Sequence, residues 1–214
     1  MRRHARRIGY ASACAGVTLA AWTAVTLWRG DPVTGAYATY RQHALTTALA
    51  VARERSPART DPAAPARYRV PEGGAWGRIL IARTGTSAVV VEGTRHDDLE
   101  SGPGHYRITS FPGRGRTVAI AGHRTTFGAW FRHIDSLQRG DEIILEMPYG
   151  AFHYRVTGHR VVMPDDWSVV ANRGYERLVL SACHPVYSAS HRWVVFARLE
   201  RRDAAQSPGP AAPR

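Results

Sequence analysis

The sequence predicts an all-β domain with short helices, a barrel or a sandwich, preceded by one N-terminal transmembrane helix. Between Trp76 and Glu200 the apolar runs are short and are separated by Gly, Pro, Asn or Asp, the pattern of strands and their turns. Ahead of them, Ile8 to Trp28 holds 21 residues without a charged side chain. Hydrophobic residues make up 44% of the chain, enough for one modest core.

Taken in order, residues 1–7 form a basic arm with four arginines. Residues 8–28 are read as the transmembrane anchor. At about 1.5 Å per helical residue they span about 31 Å, the thickness of a hydrocarbon core. Arg2, Arg3, Arg6 and Arg7 place the N-terminus in the cytoplasm and the rest outside the cell. A cleaved signal peptide is the rival, but its best small-x-small site, Ala36-Tyr37-Ala38, lies well past the apolar end. Residues 29–75 are a juxtamembrane segment: Tyr37 to Arg55 has helical spacing, and Ser56 to Gly74 reads as extended Pro/Ala/Arg-rich spacer. Residues 76–200 form the domain. Its expected strands are Gly77–Ala82, Ala88–Glu92, Thr117–Ala121, Glu142–Met147, Phe152–Val162, Arg177–Cys183 and Arg192–Leu199. A helix is expected over AWFRHIDSL, 129–137, and a helical turn between Pro164 and Asn172. The tail, 201–214, reads as disordered.

The formal net charge is +12, carried by 29 arginines and no lysine, which excludes a Schiff-base lysine and a P-loop lysine. A nucleic-acid partner is not expected: residues 76–200 hold 15 Arg against 12 acids, a net of +3, and no basic stripe interleaved with aromatics. The two cysteines, Cys14 in the apolar segment and Cys183 in the domain, cannot meet within one chain if that segment spans a bilayer. Cys183 is then a free thiol outside the cytosol.

Cys183 closes one apolar run and Arg192 opens the next. In a hairpin the end of the first strand lies level with the start of the second, so the thiol stands beside Arg192. Arg198 has the same parity but lies roughly 20 Å further along. His123 follows the apolar run Thr117–Ala121, with Gly122 allowing close backbone approach. A thiol with an imidazole supports nucleophilic acyl transfer, and a guanidinium stabilises developing negative charge. A free thiol and imidazole titrate near 8.5 and 6.5, so at neutral pH roughly a few per cent of such thiol is ionised. His184, beside Cys183, points to the opposite face of any extended strand. His105, His133, His153, His159 and His191 carry no catalytic signal. A zinc site from His123, Cys183 and His184 lacks paired ligand spacing. Asp97, Asp98 and Glu100 read as a solvated loop rather than a calcium site.

These segments resemble the sortases, cysteine transpeptidases of Gram-positive cell surfaces. The family's TLxTC strand reads here Val179-Leu180-Ser181-Ala182-Cys183, with Leu180 and Cys183 kept and both threonines replaced. ILIARTG at 79–85 resembles the family's first strand. DLESGPGHY at 98–106, residues 112–145 and CHPVYSASHRWVVFARL at 183–199 are similar to the actinobacterial class E branch. The resemblance implies an eight-stranded closed β-barrel. It implies Cys183 as nucleophile, His123 as general acid/base, Arg192 as substrate or oxyanion stabiliser, and no cofactor or metal. Its implied reaction is cleavage of an LPxTG- or LAxTG-like sorting signal of a secreted protein between Thr and Gly, then transfer to a lipid-linked peptidoglycan-precursor amine at the cell membrane. Two other readings stand beside it. An L,D-transpeptidase is disfavoured by the missing Ser-His-Gly-Cys run. A non-catalytic membrane-tethered binding module is kept open by Ala182.

Overall fold

The computed structural model describes residues 2–29, 31–55 and 63–203. Eight strands close into a barrel in the order β1-β2-β3-β4-β7-β8-β6-β5. They are β1 (Ala75–Ile81), β2 (Thr86–Glu92), β3 (Gly104–His105), β4 (Thr117–Ala121), β5 (Glu142–Met147), β6 (Gly150–Val162), β7 (Arg177–His184) and β8 (His191–Asp203). Closure removes the unpaired edges that such short strands would otherwise expose. Two pairings are parallel, β2 with β3 and β4 with β7; the others are antiparallel.

Alternation builds the interior. Ile79, Ile81, Val118, Ile120, Ile143, Leu145, Leu178 and Leu180 point inward into one buried cluster. On β4 and β7 the intervening residues are buried as well. Ala119 and Val179 lie under Val169 and Val170 of the β6–β7 connection. A strand covered on both faces reads as a continuous apolar run, as TVAIA and LVL do.

Among the described residues four helices accompany the barrel: α1 (Arg2–Arg29), α2 (Pro32–Arg55), α3 (Ala64–Arg67) and α4 (His96–Ser101). Among the described residues no helix is long and apolar enough to cross a membrane; Ala, Thr, Ser and Gly dilute the apolar content of α1. The α2 helix begins five residues before the expected Tyr37, because Asp31 caps it. The Asp31 carboxylate accepts from the Val33 N–H (3.0 Å), and Pro32 takes the first helical position. Leu45 and Leu49 of α2 join Val89 and Val91 on the outer face of β2. Between them Gln42 is buried. Its amide donates to the carbonyls of Val89 and Ser101 (2.8 Å each) and accepts from the Val89 N–H (2.7 Å).

Several local expectations are corrected. The segment 63–74 is packed rather than an extended spacer. It holds α3, and Tyr68 lies edge-on against Phe111 and Tyr149. Residues 56–62 lie outside the described residues. AWFRHIDSL is turns with a single 3-10 turn at Ile134–Ser136; Ala129 sits at φ 46°, which no right-handed helix allows. Residues 97, 98 and 100 belong to α4 rather than a solvated loop, and buried Asp98 accepts from the Arg95 N–H (3.0 Å). β3 has no periodicity to announce it, since it is two residues long. β8 runs three residues past Glu200, because the long β6 supplies partners as far as Ala151, opposite Asp203. The remainder of the tail, 204–214, lies outside the described residues. The expected helical turn after Pro164 is present as a 3-10 turn, Trp167–Val169.

Candidate active site

Topology alone brings three chain segments to one rim of the barrel. β4 and β7 run parallel, with Ala121 level with Ser181, so the residues leaving both strands emerge at the same edge. Those residues are Gly122-His123 and Cys183. β8 returns antiparallel, and Cys183 pairs directly with Arg192. Partners in such a ladder have Cα atoms about 4.5–5.5 Å apart with side chains on one face. Val179, Ser181 and Cys183 therefore face outward together, as do Arg192 and Val194. Arg198 pairs with Arg177 at the far end of the sheet, its guanidinium over the Tyr175 ring (5.4 Å).

Cys183 is a half-buried free thiol. Arg192 donates from Nη1 to the carbonyls of Ala189 (2.9 Å) and His191 (3.0 Å), which holds the fork at the mouth of the β7–β8 turn. Gly122 extends the β4–β7 ladder by one bond, its N–H donating to the Ser181 carbonyl (3.0 Å). A Cβ at Gly122 would meet the Phe131 ring at 2.6 Å, so only glycine lets the chain pass so close. The His123 carbonyl then accepts from the Phe131 N–H (3.0 Å). The imidazole is tilted against the Phe127 ring, centroids 5.4 Å apart, and its Nε2 is buried without a hydrogen-bond partner among the described residues. Burial, with a smaller contribution from His96, lowers the His123 pKa from its ordinary value.

One residue of the rim was not singled out in the sequence. Arg124 follows His123 directly and is buried. It pairs with Asp135 and donates to the Arg132 carbonyl (3.2 Å) and, at 3.5 Å, to the Cys183 carbonyl. One guanidinium thus ties the His123 segment to the end of β7. Nothing in the string GHR distinguishes an inward arginine from a solvated one; only the closure of the 123–135 loop buries it. Arg124→Ala is expected to cost about 2–3 kcal/mol, the worth of charge-assisted hydrogen bonds lost from a buried site, read as a lower urea midpoint at unchanged slope.

A small groove lies on the outer face of β7 and β8, next to the strand end that carries Cys183. Ser181, Arg192 and Val194 form its floor, and Val162, Trp167 and Val170 its wall. Trp167 is exposed at the lip. The wall comes from the β6–β7 connection, whose sequence carried no recognisable site signal.

The other histidines are placed elsewhere. His184 lies on the face opposite Cys183, its ring 5.3 Å from Trp193. A metal held jointly by His123, Cys183 and His184 would need both faces of β7. His105 is fully buried between the Glu92 carboxylate (2.8 Å) and the Ser110 carbonyl (3.0 Å), stacked on Trp76. His153 bridges Glu142 and Asp203 (3.0 Å each). Ala182 points into the barrel interior and is buried there. A hydroxyl at that position would face away from the groove, so its absence leaves the outward face at Cys183 unaltered.

The sortase-domain family model matches residues 79–200. The chain belongs to the sortase family of cysteine transpeptidases. Sortase D of Bacillus subtilis is 32% identical over 137 residues, covering 62% of this chain and 68% of that protein. Sortase A of Bacillus anthracis is 34% identical over 124 residues, covering 58% of this chain and 59% of the relative. Among solved structures, sortase E of Streptomyces avermitilis superposes with a TM-score of 0.58 at 33% identity, over 66% of this chain and 97% of that one. A Clostridium perfringens sortase D5 transpeptidase gives a TM-score of 0.63 at 26% identity, over 73% and 98%. The sortase barrel of this chain thus starts at β1 and ends on β8, and α2 is packed against it from outside.

Proposed function

We propose that this sortase is a membrane-anchored transpeptidase in which Cys183 is the nucleophile, His123 the general acid/base and Arg192 the oxyanion and substrate-backbone donor. The observation that carries the reading is the pairing of Cys183 with Arg192 at the strand end where parallel β4 also delivers His123. The thiolate attacks the carbonyl of the threonine in an LPxTG- or LAxTG-like sorting signal. Arg192 donates to the oxygen that becomes negative, and the imidazolium protonates the departing glycine amine. The thioester is resolved by an amine of a lipid-linked peptidoglycan precursor, whose proton returns to the imidazole. The groove beside Ser181 and Val194 suits an extended peptide with apolar side chains.

The anchor, residues 8–28 with the N-terminus cytoplasmic, is supported by the exposure of every described side chain of α1, Leu19 and Trp22 among them, and by the flanking arginines. Its position also suits the acceptor. Asp31 lies three residues after Trp28, and three chain steps span at most about 11 Å. Asp31 donates its N–H to the Thr125 carbonyl (2.9 Å), two residues from His123. An anchor ending at Trp28 therefore sets the thiol rim close to the bilayer surface, where a lipid-linked amine resides.

The test is intact-mass spectrometry of the full chain incubated with a panel of sorting-signal peptides and small amines. A Cys183 thioester and the ligated product are expected. A thiol that stays unmodified with every peptide, in a folded protein, sinks the reading.

The lowered His123 pKa sets a pH dependence. If the working form is a minority thiolate–imidazolium pair, the lower of the two ionisations bounds the kcat/KM profile on the acid side, and the lowered His123 puts that limb below the ordinary histidine value of about 6.5. Phe127→Ala, which opens the ring to water, is expected to move that limb upward. The same burial affects stability. The unfolded state takes up a proton at higher pH than the folded state, so this contribution is complete above about 6.5 and is lost as pH falls through the folded value.

A further inference from the structure

We infer that Thr34, at the start of α2, is a positioning residue for His123, so that docking of the N-terminal helix sets the competence of the thiol–imidazole pair. This deepens the proposed function and rests on His123 acting there.

The segment 123–131 that carries the imidazole belongs to no strand or helix. Two of its non-glycine residues, Phe127 (φ 47°) and Ala129 (φ 46°), occupy the left-handed region, which persists only when surrounding contacts hold it. Two of those contacts come from outside the barrel. The Asp31 N–H donates to the Thr125 carbonyl (2.9 Å), and the Phe127 N–H donates to the Thr34 hydroxyl (2.9 Å). The second bond ends on the strained residue itself, and Phe127 is the residue whose ring covers the imidazole at 5.4 Å and meets His96 edge-on at 6.1 Å. The anchoring end is firm. Gln42, Leu45 and Leu49 fix α2 on β2, and Arg53 pairs with Glu146 at 2.9 Å. Thr34 is thus joined through Phe127 to His123 at one end and through α2 to the barrel wall at the other. Loss of the hydroxyl leaves the Phe127 N–H without its acceptor, in a conformation that has little else to favour it.

The charged and titratable groups around the imidazole are His96 and Glu100 on α4, Arg124 next in the chain, and Cys183 and Arg192 across the rim. A change at Thr34 substitutes none of these groups, and His96, which touches Phe127, is followed in the same titration, so a shift of His123 alone reports its own position and exposure.

The experiment compares full-length Thr34→Val and Thr34→Ser proteins with wild type. Thr47→Val serves as a helix control, since among the described residues the Thr47 hydroxyl bonds within α2, to the His43 carbonyl (3.2 Å). His123 is followed by NMR titration of labelled histidine, assigned with His123→Gln, and turnover by the peptide–amine assay. In Thr34→Val the imidazole is expected to titrate at higher pH than in wild type, and kcat to fall about ten-fold at little-changed KM. Thr34→Ser, which keeps the acceptor, should restore both. An unchanged His123 titration in Thr34→Val overturns the inference, as does an unchanged kcat in an active preparation. If the wild-type protein processes no peptide, the proposed function fails by itself, and the titration alone still decides whether Thr34 positions His123.

Discussion

Cys183→Ala is expected to leave a folded protein with no measurable turnover, at least about 10⁴-fold below wild type, and no acyl adduct in the intact mass. In the proposed mechanism the Cys183 sulfur forms and breaks the acyl bond, and the Ser181 hydroxyl on the same face of β7 is too weak a nucleophile at its free pKa to replace it. Cys14, the other cysteine, lies in α1. The residue is half-buried at a strand end and the change removes a single sulfur atom, so the unfolding free energy should stay within about 1 kcal/mol of wild type. Folding and chemistry are thereby separated in a single variant. Retained ligation in a Cys183→Ala preparation of verified mass would remove the covalent mechanism altogether.

Arg192→Lys is expected to lower kcat/KM about 100-fold, whereas Arg198→Ala should change it less than about three-fold. The charge survives in the lysine, but the planar fork does not. In this structure the fork is set by the carbonyls of Ala189 and His191, an arrangement that a single ammonium cannot reproduce. Arg198 is six residues further along β8, about 20 Å at strand rise, opposite Arg177. A peptide ligation assay on the two purified variants, with circular dichroism to verify folding, measures the contrast. A larger loss in Arg198→Ala than in Arg192→Lys would mean that the substrate approaches from the other end of the sheet.

The register behind that contrast was readable before any coordinates. Two apolar runs with a short turn between them can form a hairpin in essentially one way, and Cys183 then lies level with Arg192, as the ladder has it. The position of His123 was less constrained. The apolar run Thr117–Ala121 marked a strand, but which strand it pairs with is a matter of topology, and β4 joins β7 across some sixty residues of chain. Parallel pairing has no local turn signal, because the connection must cross the fold. The two-residue β3 escaped for a related reason: alternation needs more length than it has.

Where the reading from residues failed, a long-range contact overrode a local pattern. AWFRHIDSL has good helical spacing, yet the chain folds back so that Phe131 meets the His123 carbonyl, and Ala129 is driven to positive φ. The spacer composition of 56–74 suggested an extended chain, but Tyr68 found Phe111 and Tyr149 to pack on. The start of α2 is legible in Asp31-Pro32, a cap followed by a helix-compatible proline, although the apolar spacing begins only at Tyr37.

By itself the amino-acid sequence determined the strand-rich domain, the thiol with its guanidinium partner, and the uncharged segment ahead of them, because each is set by neighbours close in the chain. The tertiary structure alone decided that Arg124 is buried beneath the rim, that the β6–β7 connection walls a groove beside Cys183, and that α2 reaches the His123 loop through Asp31 and Thr34. Those contacts join residues tens of positions apart, and no local periodicity encodes which distant backbone group a side chain will meet once the barrel has closed.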